Sequence, residues 1–127
     1  MTVIIEILVN VTTHCGRTSS GYSNGICSNS LFQFPSLIAT DPSGNHYIKE
    51  GRVGSTRIRK ISSSGKTILT MVSITCLLGI VTTHFSSSID SKGIAVSSGG
   101  ILYFSDYSQC VVRKIVAGKS FRIYPIL

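Results

Sequence analysis

The segment PSLIATDPSGNHYIKE, residues 35–50, decides how the chain is read, because SKGIAVSSGGILYFSD, residues 91–106, repeats it without a gap. At one constant offset Ile38 meets Ile94, Ala39 meets Ala95, Gly44 meets Gly100, Tyr47 meets Tyr103 and Glu50 meets Asp106. A further match joins IRKI at 58–61 to VRKI at 112–115. The offset there is shorter, so the connection after the acidic residue is longer in the first copy. The string VTTH at 11–14 recurs at 81–84. Self-similarity of this kind marks a repeat architecture, in which each unit buries its apolar face against a neighbour.

Each copy reads as an antiparallel meander. Residues 37–40 form a short apolar strand. The turn 41–45 follows, where Pro42 fixes φ, Gly44 supplies positive φ, and Asp41 and Asn45 tolerate the bend. Residues 46–49 make a second strand and 57–61 a third. In the third, Ile58 and Ile61 are expected to face the core, with Arg57, Arg59 and Lys60 reaching water at its edges. Residues 62–65 turn the chain into a fourth strand at 67–70. The second copy repeats this at 93–96, 102–105 and 111–115, with a poorer tail at 121–124. Ile38 and Ile94 are then expected in like environments, in units stacked side by side, and unlike environments for the two would contradict this reading of the repeats. The organisation is one domain over 1–127, with repeat one at 11–70 and repeat two at 81–124. The fold class is all-β: four-stranded meanders forming two to three blades of an incomplete β-propeller.

Phe34 to Asp41, then Ser43, Gly44, Asn45, Tyr47 and Ile48, then Arg57 to Ile61, resemble the NHL repeat. So do the run-in Val11-Thr12-Thr13, Gly16 and the stretch GYSNG at 21–25. The second copy keeps Gly93 to Val96, Tyr103, Asp106, Arg113, Lys114 and Ile115. The resemblance covers residues 11–118 and implies a six-bladed, TolB-like propeller serving protein or ligand binding. Departures are visible. Glu50 stands where the family has aspartate, and the asparagine before the Arg-Ile-Arg segment is missing. His46 occupies an apolar position, and residues 71–79 are unlike the family. Some relatives are metal-dependent lyases or lactonases, but their site residues belong to blades not found here. No metal or cofactor is carried over.

Composition agrees with a folded β protein. Of the 127 residues, 43% are hydrophobic and 13% charged, enough to bury a core. The charge is +7, from 12 Lys and Arg against 5 Asp and Glu, a balance that attracts polyanions. The basic cluster Lys49, Arg52, Arg57, Arg59, Lys60 and Lys66 lacks interleaved aromatics for base stacking, so an RNA-contacting propeller fragment is an alternative only. Cys15, Cys27, Cys76 and Cys110 show no C-x-x-C spacing. Free thiols packed as small hydrophobes are expected, with disulfides the alternative. The sequon Asn10-Val11-Thr12 falls in an expected strand. Residues 1–11 lack the basic start of a signal peptide. Residues 67–89 carry no Lys, Arg, Asp or Glu and match a membrane span in length. Their Ser, Thr and His content and Gly79 favour two strands instead, leaving a membrane-tethered protein as another alternative.

Catalytic motifs fall away on context. Residues 21–25 fit G-x-S-x-G, but no helix pattern follows and no parallel sheet surrounds it. Gly65-Lys66-Thr67 ends like a phosphate loop, yet Lys60 stands where its first glycine belongs. His14 and His84 occupy equivalent repeat positions and read as strand-edge residues. The reading is therefore non-enzymatic. In a meander, alternate connections open on opposite ends, and function favours loops on a rigid scaffold. The candidate binding surface is Arg17 and Tyr22 in the run-in loop, Arg52 after the second strand, and Tyr107 in the second copy. Ten expected strands are too few to close a ring, so a protein partner or self-association is expected to complete the propeller.

Overall fold

The computed structural model describes residues 9–52, 55–65, 68–75, 90–115 and 124–125, with 68–75 and 124–125 described through their backbone. They form two small antiparallel sheets and one 3-10 turn, Cys27–Asn29. Sheet one is built on β1 (Leu37–Thr40), β2 (His46–Glu50) and β3 (Ser55–Ile61), and sheet two on β5 (Ile94–Val96), β6 (Leu102–Asp106) and β7 (Val111–Ile115). A longer strand, β4 (Ile68–Thr75), lies antiparallel along β3, with a register shift between Ile58 and Arg59. A two-residue β8 (Tyr124–Pro125) meets β7 opposite Lys114 and Arg113. The copies thus agree through three strands and differ in the fourth. Among the described residues the sheets do not close a ring.

The internal repeat is reproduced in the pairing. Ile38 lies opposite Ile48 and Ile48 opposite Arg59 in sheet one; Ile94 lies opposite Phe104 and Phe104 opposite Arg113 in sheet two. His46 opposite Ile61 corresponds to Leu102 opposite Ile115. The first turns match atom for atom. In sheet one the N–H of Asp41 donates to Asn45 O, that of Gly44 to Asp41 O, and that of Asn45 to Asp41 Oδ1. In sheet two Ser97, Gly100 and Ile101 make the same three bonds, with Ser97 Oγ in place of the carboxylate. Gly44 and Gly100 take φ of 80° and 77°, where a Cβ would be strained.

Strand alternation gives each sheet two faces. One face of sheet one carries Ala39, Tyr47 and Ile58. Against it packs the face of sheet two carrying Leu102, Phe104 and Ile115, flanked by Ile94 and Val96. The sheets meet through their first strands, β1 and β5. Each side chain fully buried in this cluster contributes about 1.5–3 kcal/mol. The opposite face of sheet one carries Ile48 and Ile61, covered by Cys15, Cys27 and Phe32 from the N-terminal segment. Stacking is therefore front to back: equivalent faces have different neighbours.

That arrangement corrects three expectations. Ile38 and Ile94 share a register but not an environment: Ile38 is 64% exposed, while Ile94 packs on the core. The face bearing Ile94 has sheet one beneath it, whereas among the described residues the face bearing Ile38 has the N-terminal segment, which covers Ile48 and Ile61. Ile58 and Ile61 are both buried but on opposite faces, since three residues along a strand reverse the side. Arg59 does not reach water; it is 0% exposed, with Nη1 and Nη2 bonded to Glu50 and to backbone carbonyls in the interior and Nε without a partner among the described residues. Asn10 lies in an exposed segment outside any strand. The charge-free stretch begins as β4, and its remainder, residues 76–89, with Cys76 and His84, lies outside the described residues, as do Lys66, Thr67 and the tail at 121–123. Among the described residues no helix is long and apolar enough to cross a membrane.

Candidate functional site

The loop end of sheet one is organised by a buried ion pair. Glu50 closes β2 and Arg59 sits on β3, one pair further along the same face. Arg59 Nη1 donates to Glu50 Oε1 at 2.9 Å, both side chains being wholly buried. The second carboxylate oxygen accepts the N–H of Gln33 at 3.1 Å. The guanidinium also donates to Leu31 O at 3.2 Å and Ser23 O at 2.7 Å. Its plane lies over the rings of Phe32 and Tyr22. One charged pair thereby holds the run-in segment 21–33 to the sheet, and its four hydrogen bonds offset part of the cost of burying it, Arg59 Nε being left without a partner among the described residues. Sheet two carries the equivalent pair, with Arg113 Nε donating to Asp106 Oδ2 at 2.8 Å. Ser108 Oγ donates to the other oxygen. In both copies the residue after the acid donates its N–H to the run-in, Gly51 to Gln33 O and Tyr107 to Asp90 O.

The run-in is further tied by a disulfide between Cys15 and Cys27, which replaces the expected free thiols at those positions. The two cysteines come together because the N–H of Gly16 donates to Cys27 O and that of Arg17 to Ser30 O, folding the segment back on itself. Cys110 is free and exposed. The G-x-S-x-G stretch forms an isolated antiparallel bridge, Ser23 to Leu31, followed by the 3-10 turn. Ser23 Oγ donates to Asn24 O.

Three of the four candidate residues gather at this loop end. Arg17 lines an open groove with Thr13, Phe32 and Phe34. Arg52 lies 4.2 Å above the Phe34 ring, which is part of that groove. Tyr22 lies beneath Arg57 at 4.4 Å and also faces Arg59. Tyr107 is in the other sheet, beside Lys92, and corresponds in register to Gly51. Arg–aromatic stacking of this kind fixes side chains that would otherwise wander. The sequence places Arg57 and Arg59 in a basic cluster at water and Phe34 in the repeat pattern, but gives no sign that they meet Tyr22 and Arg52. Their roles depend on contacts between the run-in and β3, which lie far apart in the chain.

At the other end of sheet one Asp41 accepts Asn45 Nδ2 at 2.8 Å and Tyr47 Oη at 3.1 Å. Hydrogen bonds from the Asn45 side chain foremost, then from backbone and Tyr47, hold the Asp41 carboxyl below the usual carboxylate range. Burial, then the bond to Asp41, pushes the Tyr47 phenol up. His14 and His46 meet edge to face at 5.1 Å, and His46 Nδ1 is 2.8 Å from Thr40 Oγ1. Among the described residues no group of three His, Cys, Asp or Glu is placed to hold a metal ion. No protein-family model matches the chain, and no curated protein matches it.

Proposed function

We propose that the chain is a binding or scaffolding module made of two NHL-like blade units, a segment of a larger propeller, with its ligand or protein partner meeting the loop end at Arg17, Tyr22 and Arg52. The observation that carries the reading is the repetition of one register, one turn and one buried acid–arginine pair in both sheets, stacked front to back. In this reading β4 and β8 are the outer strands of two four-stranded meanders, and β1 and β5 their adjoining inner strands. The ion pairs are structural: they lock each run-in to its blade, and the loop end they stiffen is the part free to recognise something else. Guanidinium groups seated on aromatic rings present a basic, preorganised surface suited to acidic side chains.

The test is a charge reversal at exposed positions, Arg17→Glu with Arg52→Glu, in the full chain used as bait beside wild type. A partner retained by wild type, lost by the variant, and competed by an acidic peptide supports the reading. An interaction set indifferent to both substitutions, with an unchanged melting temperature, contradicts it.

A further inference from the structure

Two histidines come together at the turn end of sheet one. His14 is exposed in the N-terminal segment, and His46, half-buried, opens β2. Their rings meet edge to face, with centroids 5.1 Å apart and planes at 86°. Each ring is placed by its own element. His46 pairs across the sheet with Thr40 on one side and Ile61 on the other. His14 precedes Cys15, whose disulfide to Cys27 holds that stretch of the run-in, together with the bond from the Gly16 N–H to Cys27 O.

An edge-to-face ring pair is stabilising by itself, but three features go further. The spacing is that of two imidazoles sharing one ion: ring nitrogens about 2.1 Å from a tetrahedral metal put the two centroids about 5 Å apart. His46 Nδ1 lies 2.8 Å from Thr40 Oγ1, which accepts the hydrogen bond when Nδ1 carries the proton and so leaves the ring's lone pair on Nε2. A hydrogen-bond partner on the second ring nitrogen is the regular companion of a metal-bound histidine. The surroundings do not repel a cation. The hollow beside His14 is walled by Cys15, Ile26, Cys27, Ser28 and Gly65, with no Lys or Arg among its described residues.

We propose that His14 and His46 together bind one divalent transition-metal ion of the zinc, nickel or copper class. Imidazole nitrogen suits these ions, whereas Mg²⁺ and Ca²⁺ take oxygen ligands. Asp41, in the turn before His46, is engaged by Asn45 and Tyr47. No third His, Cys, Asp or Glu is in place among the described residues, so water fills the remaining positions. The ion ties the N-terminal segment to β2 and clamps the cover over Ile48 and Ile61. This clamp sits at the turn end, whereas the Glu50–Arg59 pair ties the run-in at the loop end. Ion supply thereby sets how firmly the cover is held, since an ion bound to the folded chain stabilises it by mass action. Arg17, Tyr22 and Arg52 take no part, so the site stands or falls independently of the loop-end reading.

Calorimetric titration of the full chain with Zn²⁺, alongside proton NMR of the imidazole resonances, tests it. One ion per chain is expected, moving the His14 and His46 resonances together and raising the melting temperature. His14→Ala and His46→Phe are each expected to weaken binding at least about tenfold, the second keeping a ring in the contact while removing the ligand. Thr40→Val, which removes only the outer hydrogen-bond partner, is expected to cost about 10–100-fold. His84→Ala and Cys110→Ser are expected to bind as wild type does. Ion-free melting temperatures near the wild-type value assign a loss to ligation; should His46→Phe fail to fold, His14→Ala and Thr40→Val carry the same test. Absence of Zn²⁺ binding, movement of only one of the two histidines, or binding that survives loss of either ring overturns the proposal. Equal affinity for Mg²⁺, or loss of binding in His84→Ala or Cys110→Ser, overturns it as well.

Discussion

Glu50→Ala isolates the contribution of the buried pair. The substitution leaves the Arg59 guanidinium charged and wholly buried, with the Leu31 and Ser23 carbonyls as its remaining acceptors, and deprives the Gln33 N–H of its acceptor. Breaking a buried pair by removing one member costs about 3–5 kcal/mol. The two carbonyls keep the charge partly satisfied, which argues for the lower end. The orphaned amide adds about 1–3 kcal/mol. The sum is about 4–6 kcal/mol, or roughly 15–25 °C in melting temperature for a chain of this size. Arg59→Ala is expected to cost as much, because it strips Glu50 of its counter-charge and leaves both carbonyls unpaired. In the double variant the penalties do not add; a coupling of about 1–3 kcal/mol is expected from the cycle. Urea unfolding followed by circular dichroism gives each value, with Glu50→Gln as the gentler substitute should Glu50→Ala fail to fold. Asp106→Ala is expected to cost less, because Arg113 retains some contact with solvent. A loss below about 1 kcal/mol for Glu50→Ala, or a coupling of zero, would refute the assignment of the pair as the tie between run-in and sheet.

Further outcomes follow from the same geometry. Reducing the Cys15–Cys27 bond, or replacing both cysteines by serine, is expected to lower stability by about 3 kcal/mol, the loop-closure value for a loop this short, measured by thermal melts with and without reductant. Gly51→Ala is expected to destabilise by more than about 1 kcal/mol, since its φ is 92° and a Cβ would collide with Ser55 O, whereas Gly25→Ala, also at positive φ but in open space, is expected to cost less; urea midpoints compare the two. The folded state holds Asp41 below its ordinary range, so its contribution is present above the unfolded carboxyl pKa and is lost as pH falls through the lower folded value; Asp41→Asn is expected to flatten that acid limb in stability–pH curves. Tyr47 is shifted the other way, so its contribution holds below the unfolded phenol pKa and fades as pH rises through the raised folded value, an alkaline limb that Tyr47→Phe is expected to remove.

The strands were legible wherever apolar alternation was bounded by turn chemistry. Leu37–Thr40 and Val111–Ile115 carry the bounds expected from sequence, because Asp-Pro-Ser-Gly, Tyr-Ser-Gln and their neighbours punctuate them. The sequence marks a fourth strand at 67–70, whereas β4 runs for eight residues, since a charge-free stretch without Gly or Pro gives no signal of where pairing stops. Arg59 was misplaced for a different reason. Residue type assigns a guanidinium to solvent, and its partner Glu50 becomes a neighbour only once β2 and β3 are in register. The disulfide has the same character: no spacing rule pairs Cys15 with Cys27, and the backbone bonds of Gly16 and Arg17 that join them are invisible in composition. Ile38 and Ile94 show the limit most plainly. Equal positions in a repeat fix equal registers, but exposure depends on what lies beneath: Ile94 has sheet one, while the N-terminal segment beside Ile38 covers Ile48 and Ile61 instead. Of the candidate surface, Arg17, Tyr22 and Arg52 converge, while the aromatic platform under Arg52 could be found only from the fold.

The most direct probe of the stacked two-sheet arrangement is a nuclear Overhauser spectrum of the full chain, recorded for the Tyr47 ring protons. Cross-peaks from that ring to methyls of the sheet-two cluster, Ile94, Val96, Leu102 or Ile115, absent to those of Ile38, are expected. A Tyr47 ring without contact to sheet two, or one in contact with Ile38, would contradict the front-to-back stack on which everything else depends.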